Sequence, residues 1–113
     1  MNKAGIPVYN YMVAYKMPFF GGQVMCHTSD LALWFGSMEG AAYQYRGDET
    51  NAQRVSNHMM DALAAFAASG DPSCKLLKWT PYTTDAHNTM VFDVKSGCKV
   101  DFDRAVYEAM MNQ

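Results

Sequence analysis

Apolar and polar positions along this chain change their spacing several times, and each spacing predicts a different element. Residues 7–15, PVYNYMVAY, are apolar at nearly every position, with Asn10 as the only strongly polar interruption. A strand that is apolar on both faces is typical of a parallel sheet covered by helices on each side. We therefore predict a buried strand here, followed by a loop at PFFGGQ, residues 18–23.

The clearest helical period lies between residues 50 and 69. Thr50 and Gln53 have the spacing of a capping box, which predicts a helix that begins at Thr50. The sequence SGDP at residues 69–72 predicts where it ends. Apolar residues recur on one face of this helix, namely Ala52, Val55, Met59, Leu63 and Phe66.

Two short strands and a last helix are predicted after the long helix. TMVFDV (89–94) and CKVDF (98–102) flank a turn at Gly97 and indicate a hairpin. Asp103 can cap a terminal helix that has Val106 on its apolar face. The order strand, loop, helix, hairpin, helix gives the first strand too few partners, because a parallel sheet needs neighbouring strands and helices on both faces. The pattern indicates one end of a larger α/β sheet.

Three histidines are candidates for chemistry. His27 lies in a polar break within VMCHTSDLALWFG (24–36), where helix-starting residue types follow it and Gly36 predicts the end of one or two helical turns. The local sequence is compatible with a catalytic residue and with an ordinary loop histidine. His58 is predicted to be a surface or interface residue of the long helix, and His87 to be solvated in TTDAHN. Residues 37–49 lack a clear period and predict a loop.

Composition excludes several classes of partner. The chain has 113 residues, half of them hydrophobic, and a formal net charge of −2, which fits one small globular domain. The absence of a Lys/Arg cluster argues against nucleic acid. The apolar runs are far shorter than the roughly 20 residues of a membrane-spanning helix, which argues against a membrane partner. No signal peptide is visible in this stretch, and the compartment is left open.

The cysteines do not predict a metal or cofactor site. Cys26, Cys74 and Cys98 form an odd, widely spaced set without a C-x-x-C pair. We expect no metal and no cofactor, while one Cys74–Cys98 bridge is left open. Cys26 precedes His27, but adjacent side chains on an extended chain point apart, so we expect no nucleophilic pair between them.

Four segments together resemble the type-B carboxylesterases, which include the cholinesterases. VYNY (8–11) is similar to a V-Y-x-Y strand, and HTSDLALWFG (27–36) is similar to the catalytic-histidine loop H-G-x-E-L-x-x-x-F-G. FAASGDPS (66–73) resembles F-A-x-x-G-x-P, and WTPY (79–82) resembles W-x-P-Y. Thr28 stands where the family usually has glycine, and Asp30 stands where it usually has glutamate.

The resemblance implies a partial α/β-hydrolase fold, made of the last sheet strand, the histidine loop, a C-terminal helix, a hairpin and a terminal helix. Residues 1–113 would be a single C-terminal segment that starts in mid-domain, since Lys3-Ala4-Gly5 looks like the end of a preceding helix. His27 would be the catalytic histidine of a serine esterase that hydrolyses small-molecule carboxylic esters. Asp30 is one methylene shorter than glutamate, so we expect it mainly to accept hydrogen bonds at the helix start.

Most of the catalytic set is missing from this sequence. The nucleophile motif G-x-S-x-G is absent, and GSMEG (36–40) has its serine one position early with no strand before it. The acid and the glycine-rich oxyanion segment of the family lie upstream. We therefore expect no activity from the chain alone. Three hypotheses follow, namely an esterase piece that self-associates or joins its N-terminal part, a non-enzymatic interaction module, and one half of a split esterase.

Overall fold

A computed structural model describes residues 5–112, in which three short strands form a mixed sheet. The strands are β1 (Asn10–Val13), β2 (Thr89–Phe92) and β3 (Gly97–Lys99). β1 and β2 run parallel, with Asn10 opposite Thr89, and β2 and β3 form the predicted antiparallel hairpin. The order β1-β2-β3 leaves β1 at one edge of the sheet within the described residues.

The strand that is buried on both faces is β2, which corrects the prediction for residues 7–15. All four residues of β2 are buried, because this strand lies between β1 and β3. In β1, Tyr11 and Met12 are exposed and only four residues join the ladder. The apolar pattern of residues 7–15 correctly predicted a strand with a parallel neighbour, but within residues 5–112 this strand has a neighbour on one side only.

Four helices accompany the sheet, of which one is long. They are α1 (Leu31–Trp34), α2 (Ala42–Tyr45), α3 (Glu49–Ser69) and α4 (Arg104–Met111), with 3₁₀ turns at Phe19–Gly21 and Met38–Ala41. The prediction of a loop over residues 37–49 is therefore wrong. Tyr45 is fully buried at the end of α2, and its burial gives that segment an ordered conformation without a periodic pattern.

The long helix ends where predicted but begins earlier. Gly70 adopts a left-handed conformation with φ 77°, and its N–H donates to the carbonyl of Phe66 at 2.8 Å, which closes the last turn. At the other end α3 begins at Glu49, so Thr50 lies inside the helix and the predicted capping box is not formed. Asp48 precedes the helix and accepts a hydrogen bond from Asn51 Nδ2 at 2.7 Å.

The core lies between α1, the first half of α3 and β2. Leu33, Val55, Met59 and Phe92 are all fully buried and belong to one cluster. The buried hydroxyl of Ser56 donates to the carbonyl of Leu33 at 2.8 Å and so joins α3 to α1. The second half of the predicted apolar stripe is different, because the side chains of Leu63 and Phe66 are 37% and 48% exposed to solvent.

The terminal helix is anchored through a buried histidine, and the prediction that His87 is solvated is wrong. His87 is only 3% exposed, and its Nδ1 lies 3.0 Å from Oδ1 of Asp103. The ring also lies between Tyr82 and Tyr107, with centroids 5.0 and 5.1 Å away. Asp103 precedes α4 as predicted, but its side chain makes no cap hydrogen bond and contacts His87 instead.

Other expectations from the sequence have mixed outcomes. His58 is partly buried, and its Nδ1 lies 3.1 Å from the hydroxyl of Ser96. The three cysteines are free thiols, so the Cys74–Cys98 bridge is not formed. The expectation that Lys3 and Ala4 end a preceding helix concerns residues outside the described range.

Candidate active-site loop

A tight turn immediately precedes the loop that carries His27. The N–H of Met17 donates to the carbonyl of Gln23 at 2.9 Å, which brings the two ends of this turn together. Gly22, at the end of the 3₁₀ turn, has φ 114°, a conformation that glycine adopts readily. The predicted loop at residues 18–23 is therefore a compact turn that leads directly into the histidine segment.

Ser29 holds the two sides of the His27 loop together. Its hydroxyl accepts a hydrogen bond from the Cys26 N–H at 2.9 Å and donates to the Cys26 carbonyl at 2.7 Å. The Ser29 N–H also donates to the same carbonyl at 3.1 Å. Ser29 is buried, whereas the two residues between it and Cys26 are exposed. The loop is consequently fixed at its base and open at its tip.

Tyr45 supports the same loop from the core. Its hydroxyl donates to the carbonyl of Ser29 at 3.3 Å. Burial, followed by the negative charge of Asp30 and the neighbouring Tyr43, raises the pKa of Tyr45 to about 12. The phenol therefore keeps its proton at neutral pH and remains a hydrogen-bond donor. The sequence did not predict that Ser29 and Tyr45 hold the His27 loop. Ser29 is a residue type that commonly starts helices, and Tyr45 lies in a segment without periodicity.

Thr28 occupies a backbone conformation that favours glycine. Its φ is 64°, in the left-handed region, at the position where the similar motif has glycine. A residue with a Cβ loses roughly 1–2 kcal/mol in this region. The Thr28 hydroxyl donates to the His27 carbonyl at 2.7 Å, a local bond that partly offsets this cost. The left-handed turn next to His27 is therefore kept without the glycine.

Asp30 contacts a tryptophan rather than the start of the helix. Its Oδ2 accepts a hydrogen bond from Trp34 Nε1 at 3.2 Å, and its side chain makes no cap hydrogen bond to α1. The prediction that Asp30 mainly serves as a helix-start acceptor is thus wrong. Trp34 lies four positions after Asp30, so this bond spans one turn of α1. Asp30 therefore still stabilises the helix that follows His27.

Gly36 ends α1 where the sequence predicted and cannot be replaced freely. Its φ is 64°, and a Cβ at this position would lie 2.6 Å from Sδ of Met60. This close approach lets the chain leave α1 directly against α3. Ser37 follows in an exposed position before the 3₁₀ turn at Met38–Ala41, with no strand leading to it. It does not have the strand-turn-helix setting of a nucleophilic serine.

The ring of His27 is exposed and not engaged in local bonding. Within residues 5–112 the hydrogen bonding of His27 is confined to its carbonyl, which accepts from Thr28. Cys26 Sγ lies 3.9 Å from Gln23 Nε2 and makes no hydrogen bond to His27 in this part of the chain. No serine hydroxyl or carboxylate of the described residues bonds to the imidazole, so the loop presents a histidine without the other members of a triad.

Metal-ligating clusters and membrane-spanning helices are both absent from residues 5–112. No group of three or more His, Cys, Asp or Glu side chains there has the arrangement of a metal site. None of the helices in this range combines the length and hydrophobicity that a membrane crossing requires.

Comparison with known protein families gives a match over nearly the whole chain. The family model described as "Carboxylesterase family" matches residues 1–110. The chain belongs to the carboxylesterase family. This match confirms the resemblance that the four sequence motifs indicated. A search of the curated proteins finds no match.

Solved esterase structures are similar to the same chain. An esterase from Clostridium hathewayi, described as able to hydrolyse aliphatic aromatic polyesters, has 26% identity and a TM-score of 0.82 over 96% of this chain. The Geobacillus stearothermophilus carboxylesterase EST55 has 27% identity and a TM-score of 0.77 over 91%. A thermophilic PNB esterase has 19% identity and a TM-score of 0.80 over 90%, which shows likeness of fold.

The carboxylesterase chain covers only a small part of these relatives. It spans 22% of the Clostridium esterase, 22% of EST55 and 21% of the thermophilic PNB esterase. The small mixed sheet and four helices therefore match one portion of an α/β-hydrolase esterase.

Proposed function

We propose that this chain is the C-terminal part of a carboxylesterase and supplies its catalytic histidine, His27. The observation that carries the proposal is the contrast within the histidine loop. Its base is held by Ser29 and Tyr45, whereas the imidazole is exposed and makes no hydrogen bond within the described residues. A general base needs this combination, because its position must be defined while its ring nitrogens are left for the reacting groups.

The chemistry follows that of serine ester hydrolases. A serine supplied by the rest of the domain attacks the ester carbonyl, and His27 takes the hydroxyl proton. His27 then gives this proton to the departing alcohol. Water attacks the acyl-serine in the second half of the reaction, and His27 passes the water proton back to the serine. Imidazole suits both steps, because this ring can accept and release a proton near neutrality.

The chain by itself is proposed to be inactive. Its sequence contains no G-x-S-x-G nucleophile motif, and Asp30 is bonded to Trp34 rather than to His27. Nucleophile, acid and oxyanion donors would all come from the larger part of the enzyme. In that case His27 contributes general acid-base catalysis, typically about 10²–10⁴-fold in rate, only after assembly.

The test is a chimaera in which residues 1–110 replace the matched segment of the Geobacillus stearothermophilus carboxylesterase. We expect hydrolysis of p-nitrophenyl acetate by the chimaera and none by the chain alone above a His27→Ala control. His27→Ala in the chimaera should lower kcat by about 10²–10⁴-fold. His58→Ala is the matched control and should keep the wild-type kcat.

Two results would contradict the proposal. One is a folded chimaera that hydrolyses the ester equally well with and without His27. The other is a folded chimaera without any activity, which would favour a non-enzymatic interaction module that has kept an esterase scaffold.

A further inference from the structure

Thr28 has a backbone conformation that does not suit its side chain. Among residues 5–112, Thr28 and Asp101 are the two residues other than glycine with positive φ, at 64° and 54°. Aspartate tolerates the left-handed region comparatively well, because its short polar side chain bonds locally, whereas a β-branched residue there is a genuine outlier. Residues held in such conformations cluster at functional sites, and Thr28 follows His27 directly. The position of this strain therefore indicates a function for the threonine.

The loop holds Thr28 firmly in this conformation. Its carbonyl accepts a hydrogen bond from the Leu31 N–H at 3.2 Å, and its hydroxyl donates to the His27 carbonyl at 2.7 Å. Ser29, the next residue, is bonded to both backbone groups of Cys26. Because the hydroxyl and the methyl group of threonine share one Cβ atom, the bond to His27 also fixes the direction of the methyl group. The side chain therefore presents a rigid surface at the tip of the loop.

The turn by itself does not require a threonine. Glycine adopts the left-handed conformation without strain, and would form the same turn at a lower cost in free energy. Threonine adds a hydroxyl group, which is used inside the loop, and a methyl group. The residue is exposed, as is His27 beside it. What the threonine adds to the surface is therefore volume next to the histidine.

We propose that Thr28 is a specificity-determining residue that limits the size of the alcohol group in the ester substrate. This inference rests on the proposed function, in which His27 gives a proton to the departing alcohol. Such a transfer requires the alcohol oxygen to lie within about 2.6–3.2 Å of a ring nitrogen. The first carbon atoms beyond that oxygen then lie close to the loop tip, where Thr28 occupies space that a glycine leaves open. Esters of unbranched primary alcohols are the substrates that fit this site, and esters of tertiary alcohols are disfavoured.

The chemistry assigns Thr28 to the alcohol group rather than to the acyl group. The acyl carbon stays bonded to the serine, while the bond from this carbon to the alcohol oxygen breaks and the oxygen takes the proton from His27. The alcohol is therefore the half of the substrate nearest to the histidine when it leaves. The left-handed turn at Thr28 also interrupts the extended backbone, so the alternation that separates the side chains of Cys26 and His27 does not apply to Thr28.

The experiment uses the chimaera that carries residues 1–110 in the Geobacillus stearothermophilus carboxylesterase. The values of kcat/KM are measured for ethyl butyrate and tert-butyl butyrate, which share one acyl group and differ in the alcohol. Thr28→Gly should raise the ratio of the tert-butyl value to the ethyl value by about tenfold, the usual effect of one small group in an apolar site. Thr28→Ser keeps the hydroxyl and lacks the methyl group, and should raise this ratio as well.

Thr84→Gly is the matched control. It makes the same change at an exposed threonine outside the His27 loop, and should leave the ratio of the two esters unchanged. A thermal melt should show that Thr28→Gly is at least as stable as the wild-type protein, because glycine fits the left-handed backbone. A change in ester preference would then not result from partial unfolding.

The outcomes separate this role of Thr28 from the proposed function. Hydrolysis that depends on His27, with the same ester ratio in the wild-type and Thr28→Gly proteins, would overturn the specificity role and leave the proposed function intact. An equal loss of activity on both esters would also overturn it, since Thr28 would then only position the histidine. A folded chimaera without any hydrolysis that depends on His27 would refute the proposed function and the role of Thr28 together.

Discussion

The two halves of α3 carry the same apolar stripe but are covered very differently. Val55 and Met59 in the first half have no exposed surface, whereas Leu63 and Phe66 in the second half are partly exposed to solvent. The spacing of these residues is equally regular in both halves. Helical periodicity therefore indicates which face of a helix is apolar, but neighbouring elements decide whether that face is covered.

The two halves of α3 also differ in what they contact. The first half of α3 packs on α1 and β2 and supports the His27 region, partly through the bond from Ser56 to Leu33. The second half borders an open apolar groove, which Tyr11, Phe35 and Trp79 also line. We infer that the first half contributes more to the stability of the chain than the second half does.

The largest expected effect is in the covered half. Met59→Ala should lower the free energy of unfolding by about 2–5 kcal/mol, because it removes buried methylene groups and leaves a cavity in the core. Chemical denaturation followed by circular dichroism measures this loss. A cost below that of Phe66→Ala would show that the second half of α3 contributes more to stability than the first half.

The next largest effect is expected where α1 meets the middle of α3. Gly36→Ala should cost about 2 kcal/mol, since the left-handed backbone disfavours a Cβ and the new atom would lie 2.6 Å from Met60 Sδ. Gly40→Ala is the matched control, because a Cβ there meets nothing within 4 Å. Equal stabilities of the two variants in a thermal melt would show that Met60 and the backbone adapt without cost.

A smaller effect is expected in the open half. Phe66→Ala should cost about 1 kcal/mol in the chain alone, because half of this side chain is already exposed and no closed cavity results. We expect a larger cost in the chimaera described above, because the rest of the esterase would cover this side chain there. Equal costs in denaturation experiments would show that Phe66 is no better covered in the chimaera than in the chain alone.

The smallest effect concerns the support of the histidine loop. Tyr45→Phe removes the 3.3 Å bond to Ser29 and should cost about 0.5–1 kcal/mol at pH 7. The folded-state pKa of Tyr45, about 12, lies above its ordinary value of 10. The corresponding stabilisation is therefore complete below pH 10 and is lost as the pH rises towards 12.

Denaturation at a series of pH values tests this sign. The wild-type chain should lose stability more steeply between pH 10 and pH 12 than the Tyr45→Phe variant does. Tyr15, whose pKa is also raised by burial and by its bond to Asp48, is present in both proteins and contributes equally to their slopes. Parallel slopes would show that Tyr45 is not protonated more strongly in the folded state.

Features that depend on neighbouring residues were predicted from the sequence, whereas features that depend on residues distant in sequence were not. The end of α3 at Gly70, the hairpin and the position of His27 before a short helix all depend on neighbouring residues, and these predictions are confirmed. The burial of His87 depends on Asp103 and Tyr107, which are distant in sequence. A histidine in a polar stretch gives no signal of such partners.

The sequence by itself determined that this chain carries carboxylesterase motifs, a parallel strand, a long amphipathic helix and a histidine loop without a nucleophile motif. These properties depend on residue types and spacing along the chain. Only the tertiary structure decided that β2 rather than β1 is buried, that Ser29 and Tyr45 hold the His27 loop, and that half of the α3 stripe is open. Burial depends on what packs from elsewhere in the chain, and the spacing of residues within one element does not contain that information.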